Sequence, residues 1–199
     1  DLSRIMIIGH SRGGEAVGHA SLFNRMSQVQ FDLDKPSILL DGSQGLGPYG
    51  FNLRGVVAIA PTDGQYVLVS GQRTQVRDNY LLLHGSRDGD VSTFEGYKTY
   101  DRSHAVDLAK PTQLAQGFKS LLWIHHANHN YFNSVWGQES ERTLGRNQQE
   151  QIAKVYLSAL AQAVLQDKLE YMDLLRNHRF GVEAGWLPTD INLVSQYQD

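Results

Sequence analysis

Short apolar runs alternate along this chain with longer segments in which apolar residues return at every third or fourth position. The first run, Ile5-Met6-Ile7-Ile8, is followed by Val56-Val57-Ala58-Ile59-Ala60, Leu81-Leu82-Leu83 and Leu121-Leu122-Trp123-Ile124. A run of apolar residues without polar alternation describes a strand buried on both faces, as in a parallel sheet. Each run meets a breaker or a polar turn: Gly9, Pro61, Gly85 and the segment from His125. Residues 15–26 are helix-capable, and residues 147–177 are mostly helical. Within the latter, Ile152, Val155, Tyr156, Ala159, Leu160, Ala163 and Val164 form one apolar stripe, which predicts a helix packed on the sheet. Residues 35–52, with Gly42, Gly45, Gly47, Gly50, Pro36 and Pro48, read as a loop or excursion. Residues 177–199, with Gly181, Gly185 and Pro188, read as an irregular tail or a connection to a further segment. Strand and helix in alternation predict an α/β fold over residues 1–178, with residues 179–199 as the tail.

Composition narrows the classes without choosing among them. The chain has 199 residues, 41% apolar and 20% charged, which is enough for one substantial core and ordinary for a globular protein. A net charge of −3, with no clustered Lys/Arg run, offers no basic field for nucleic acid. No apolar run approaches the length of a membrane span. With no cysteine there is neither disulfide nor thiolate chemistry, and the compartment stays open. The chain opens four residues before its first buried strand, which predicts that further residues precede it in the parent protein.

The chemistry begins where the first strand ends. Gly9-His10-Ser11-Arg12-Gly13 has the Gly-x-Ser-x-Gly pattern of a nucleophile elbow, in which a strand turns sharply into a helix and holds the serine hydroxyl out above the sheet. Glycines at 9 and 13 remove Cβ atoms that would clash in such a turn. A serine hydroxyl is inert at neutral pH until a base takes its proton and a third group orients that base. An acid and a histidine are available, each just past a later strand. His84-Gly85-Ser86-Arg87-Asp88-Gly89-Asp90-Val91 follows the third strand, and His125-His126-Ala127-Asn128-His129-Asn130 follows the fourth. Asp88, Asp90 and Asp63 compete for the acid, and Asp88 has the alternative of capping a helix that begins near Ser92. His126 and His129 lack a third ligand cluster or a His-Glu-x-x-His helix, so no metal site is expected.

Together, Gly9-His10-Ser11-Arg12-Gly13-Gly14, the Gly85-x-x-Asp88-x-x-Val91 segment and Ala127-Asn128-His129 resemble the carboxyl-terminal half of an α/β-hydrolase. The likeness is nearest to the dienelactone-hydrolase, chlorophyllase and polyester-hydrolase group of serine esterases, and it spans roughly residues 3–175. The resemblance implies Ser11 as nucleophile, Asp88 as orienting acid, His129 as general base and the backbone N–H of Arg12 as one oxyanion donor, with no cofactor. It implies a small-molecule ester substrate, an amide, lactone or thioester being alternatives for the same triad. A second alternative is a non-catalytic binding or assembly module that keeps the fold. His10 is expected to pack beside the nucleophile or touch substrate. Tyr131, Phe132 and Trp136 are candidates for a substrate pocket or for the core, and the Arg12 side chain is expected to pair with an acid such as Glu15. Residues 93–118 are long enough for a helix and a cap over the site. Finally, the resemblance implies that an amino-terminal half, from the parent chain or a second chain, pairs with residues 4–9 and supplies the other oxyanion donor.

Overall fold

The computed structural model describes residues 2–103, 117–133 and 143–199. Its centre is a five-stranded sheet in the order β1-β4-β5-β6-β7, built from β1 (Ile5–His10), β4 (Leu53–Ile59), β5 (Tyr80–Gly85), β6 (Lys119–Ile124) and β7 (Leu193–Gln198). The first four strands run parallel and are the four apolar runs. β7 is antiparallel to β6, with Leu193 opposite Ile124 and Gln198 opposite Lys119. The tail is therefore partly regular, contrary to the sequence expectation: α5 (His178–Glu183) and β7 both lie in it. Only Leu193 of β7 is buried, so the strand lacks the apolar run that marks the others.

Successive side chains of a strand point to opposite faces, and both faces are covered. On one, Val57, Leu81, Leu83, Leu122 and Ile124 meet Ile152, Tyr156, Leu160 and Val164 of α3 (Arg146–Gln166). The apolar stripe read from the sequence is thus the buried face of this helix. It ends at Asp167, whose left-handed φ of 55° closes the last turn before α4 (Met172–Arg176). On the opposite face, Val56, Ala58, Tyr80, Leu82 and Leu121 pack with Tyr100 of α2 (Gly96–Arg102) and with Val17 of α1 (Arg12–Phe23). Tyr100 is thus a core residue on the helix expected within residues 93–118. The rest of the expected cap, residues 104–116, lies outside the described residues. α2 starts at Gly96 rather than near Ser92, because Phe94 at φ 53° interrupts the chain and a side chain at 96 would meet Pro61.

The loop between α1 and β4 carries a two-residue ribbon of β2 (Gln28–Val29) and β3 (Ile38–Leu39) and is otherwise irregular. Among the described residues, β1 pairs with β4 alone. Among the described residues, no helix is long and apolar enough to cross a membrane.

Candidate active site

β1 runs directly into α1 through Ser11, whose φ of 58° and ψ of −125° lie where side chains are seldom tolerated. The turn is locked by the N–H of Ser11 donating to the Ile59 carbonyl at 2.9 Å and the N–H of Gly14 donating to the Ser11 carbonyl at 2.9 Å. Two glycines permit it. A Cβ at Gly9 would stand 1.9 Å from the Gly13 carbonyl oxygen, and one at Gly14 would stand 2.8 Å from Pro61 Cβ. Gly13 has open space instead, so the steric role expected of it belongs to Gly14. Although serine is a favoured helix cap, the Ser11 side chain makes no capping bond to α1. Arg12 is the first residue of that helix, where a backbone N–H has no acceptor within the helix and the dipole favours negative charge.

Asp88 lies in the turn after β5, its side chain buried. Oδ1 accepts from the N–H groups of Asp90 at 3.0 Å and Val91 at 2.6 Å, and Oδ2 faces His129 Nδ1 at 2.8 Å. These bonds make an Asx turn, not a helix cap. Burial alone would raise the Asp88 carboxyl, but the hydrogen bonds from His129 and Val91 outweigh it and hold the group below its usual range. An ionised Asp88 can accept only, so Nδ1 of His129 carries its proton and Nε2 of the neutral ring is left as the basic nitrogen.

The acid and base turns are laced together. The N–H of Arg87 donates to the Ala127 carbonyl at 2.9 Å, and the N–H of His126 to Ser86 Oγ at 2.8 Å. Gly85 must be glycine here, since a Cβ would lie 2.3 Å from the Ala127 oxygen. Behind His129, the buried amide of Gln149 accepts from the Asn128 N–H at 3.0 Å and donates to the Asn128 carbonyl at 2.8 Å. Sequence reasoning missed Gln149. Its signal was a polar residue one turn before Ile152 on the apolar stripe of α3.

β1 and β6 stand three strand spacings apart, about 14 Å, so their ends meet only through side chains and loops. His10 makes that link: its ring centroid is 4.5 Å from that of His129, and its Nε2–H donates to the His129 carbonyl at 3.0 Å. Burial, reinforced by the neighbouring His129, pushes His10 below the usual imidazole range. The residue next to Ser11 is thus in direct contact with the histidine held by Asp88.

The remaining candidates are dispersed. Asp63 is tied to Arg102 of α2 and to Thr99, away from His129. Asp90 is largely exposed, with Oδ2 3.9 Å from His129 Nε2. Tyr131 lies beneath the Arg146 guanidinium at 4.4 Å, and Phe132 packs on the core with its ring 6.4 Å from His10. Trp136 lies outside the described residues. The expected Arg12–Glu15 pair does not form. Glu15 is turned inward, 1% exposed, and accepts from Thr62 Oγ1 and the N–H groups of Gly64, Gln65 and Tyr66 at 2.7 to 3.1 Å. It pins the loop after β4 to the first turns of α1. His125 and His126 stack at 3.9 Å, and among the described residues no group of three or more His, Asp or Glu is placed to hold a metal.

No protein-family model matches this chain, and no curated protein matches it at a significant level. What the geometry establishes is a mostly parallel α/β sheet with flanking helices, at whose strand ends His10, the residue before Ser11, meets the Asp88–His129 pair.

Proposed function

We propose that this chain carries the nucleophile, acid and base of a serine hydrolase that cleaves a carboxylic ester through an acyl-enzyme. The observation that carries the reading is the buried Asp88–His129 pair, 2.8 Å from Oδ2 to Nδ1, in contact with the residue beside the strained Ser11 turn. Ser11 Oγ attacks the ester carbonyl carbon while His129 Nε2 takes the hydroxyl proton. Asp88 holds the imidazole in the Nδ1–H tautomer and stabilises the imidazolium. The tetrahedral oxyanion is met by the N–H of Arg12 at the start of α1. On collapse the carbon–alkoxy bond breaks and His129 returns its proton to the leaving alcohol. Water, deprotonated by His129, then attacks the acyl-enzyme and releases the carboxylic acid with Ser11 restored. Amides, lactones and thioesters are open to the same three residues.

The same reading gives the open edge of β1 to an amino-terminal half of the fold. In support, β1 has one partner strand among the described residues, and an apolar groove of about 490 Å³ beside it is lined by Ile5, Ile7, Phe23, Tyr49, Phe51 and Leu53. An unpaired apolar edge is a liability that proteins ordinarily cover. That half would also bring the second oxyanion donor.

Labelling with a fluorophosphonate probe tests the proposal. Wild-type protein is expected to label and Ser11→Ala not to, with faster labelling when the upstream half is restored. If neither the chain nor the longer form labels, the esterase reading gives way to a non-catalytic binding or assembly module.

A further inference from the structure

Asp88 has a second histidine neighbour with no part in the mechanism above. His84, the fifth residue of β5, is 1% exposed and packs edge-to-face on Phe94 at 4.7 Å. Its Nε2 lies 3.2 Å from the Val91 carbonyl oxygen and 3.8 Å from Asp88 Oδ2. A carbonyl only accepts, so Nε2 carries the proton. In the neutral ring Nδ1 is then a bare acceptor, and it is buried without a hydrogen-bond partner. Burial holds His84 below the usual imidazole range, which keeps the ring neutral. Leucines fill the three preceding positions of the strand, and a fourth would avoid an unsatisfied buried nitrogen. Packing therefore does not explain the histidine, whereas its bond to Val91 gives it a use.

We propose that His84 is a positioning residue for the Asp88–His129 pair. Its Nε2–H, carried on the central strand β5, fixes the Val91 peptide through the carbonyl. The N–H of Val91 in turn fixes Asp88 Oδ1 at 2.6 Å, which aims Oδ2 at His129. Buried groups that hold a functional side chain in this way set its orientation and basicity. Among the described residues, the other charged or titratable groups facing the pair are His10 from β1 and Asp90 from the turn after β5. The inference rests on the reading of Asp88 and His129 as acid and base, and it is tested without the nucleophile.

Nitrogen and proton NMR of the imidazoles in full-length Ser11→Ala protein is the measurement. His84 is expected in the Nε2-protonated form throughout the neutral range. His84→Phe keeps the ring packing and removes the donor, whereas His84→Gln retains a side-chain N–H. In His84→Phe the His129 titration midpoint should fall by about one pH unit, because a loosened carboxylate stabilises the imidazolium less. The downfield His129 Nδ1–H signal should weaken with it, and His84→Gln should restore both. With Ser11 present, kcat for an ester should fall roughly tenfold at unchanged KM. A purely structural role would lower stability without moving His129. A folded His84→Phe protein with an unmoved midpoint overturns the proposal, as does an Nδ1-protonated or cationic His84 in the Ser11→Ala parent, a result that holds even if His84→Phe does not fold. A moved midpoint in a protein that hydrolyses no ester would leave the positioning role standing and remove the esterase.

Discussion

At Gly9 a methyl group would stand 1.9 Å from a backbone oxygen, and that oxygen belongs to the first turn of α1, which cannot retreat without unwinding the elbow. Gly13, two residues past the serine, has nothing within 4 Å of its Cβ position. The two glycines of one motif therefore predict opposite outcomes. Gly9→Ala is expected to cost at least about 3 kcal/mol, the scale of forced overpacking, and to abolish labelling of Ser11. Gly13→Ala should be neutral or stabilising by up to about 1 kcal/mol, since alanine is the better helix former. Thermal denaturation of the pair checks both, and an equal loss in the two would contradict this account of the turn. The motif was legible because its signal is local: an apolar strand, a Gly-x-Ser-x-Gly turn and a helix-capable stretch adjoin in sequence. Which glycine does the steric work was not legible, because the closest approach to Gly14 comes from Pro61, 47 positions away.

Glu15 shows what the element scale adds. From the sequence it is an ordinary acid in the first turn of a helix and a partner for Arg12. In the fold it binds the loop after β4 through four hydrogen bonds, with His19 Nε2 beside it at 3.8 Å. Burial alone would raise its carboxyl, yet His19, Thr62 and the N–H groups of Tyr66 and Gly64 outweigh burial and hold it at about 2. A carboxyl depressed in the folded state stabilises the fold above its unfolded value near 4.5 and loses that contribution as the pH falls toward 2. The difference corresponds to about 3 kcal/mol. Glu15→Gln should therefore be less stable than wild type by roughly this amount at pH 7, and the gap should close between pH 4.5 and 2. Urea denaturation across this range is the check, and a gap independent of pH would assign the loss to packing instead. Gln149 and Glu15 escaped the sequence reading for one reason: apart from the Thr62 hydroxyl, their partners are backbone groups 21 to 51 residues away, and a backbone N–H leaves no mark on composition or periodicity.

For the whole molecule the two sheet edges differ. β7 is a largely polar edge with Leu193 as its one buried residue, while β1, paired only with β4 among the described residues, has Ile8 46% exposed and the apolar groove alongside. The 199-residue chain is therefore expected to associate with rising concentration through this edge, and Ile8→Lys to suppress association, since an edge lysine opposes strand addition. Sedimentation velocity decides it. Association that Ile8→Lys leaves unchanged would place the contact elsewhere. The sequence by itself determined the four parallel strands and the α3 stripe, because strands buried on both faces and amphipathic helices announce themselves by periods of a few residues. It also placed a serine, the carboxylates Asp63, Asp88 and Asp90 and a histidine after successive strands, without choosing among the three carboxylates. Only the fold separates these three carboxylates, by giving Asp63 to Arg102, leaving Asp90 in solvent and burying Asp88 against His129. It also decided that β7 is a strand, that Glu15 and Gln149 are clamps and that His10 and His84 flank the Asp88–His129 pair. The physical reason is that these assignments depend on contacts closed by the fold between distant positions, where burial and backbone hydrogen bonds set the outcome rather than local sequence.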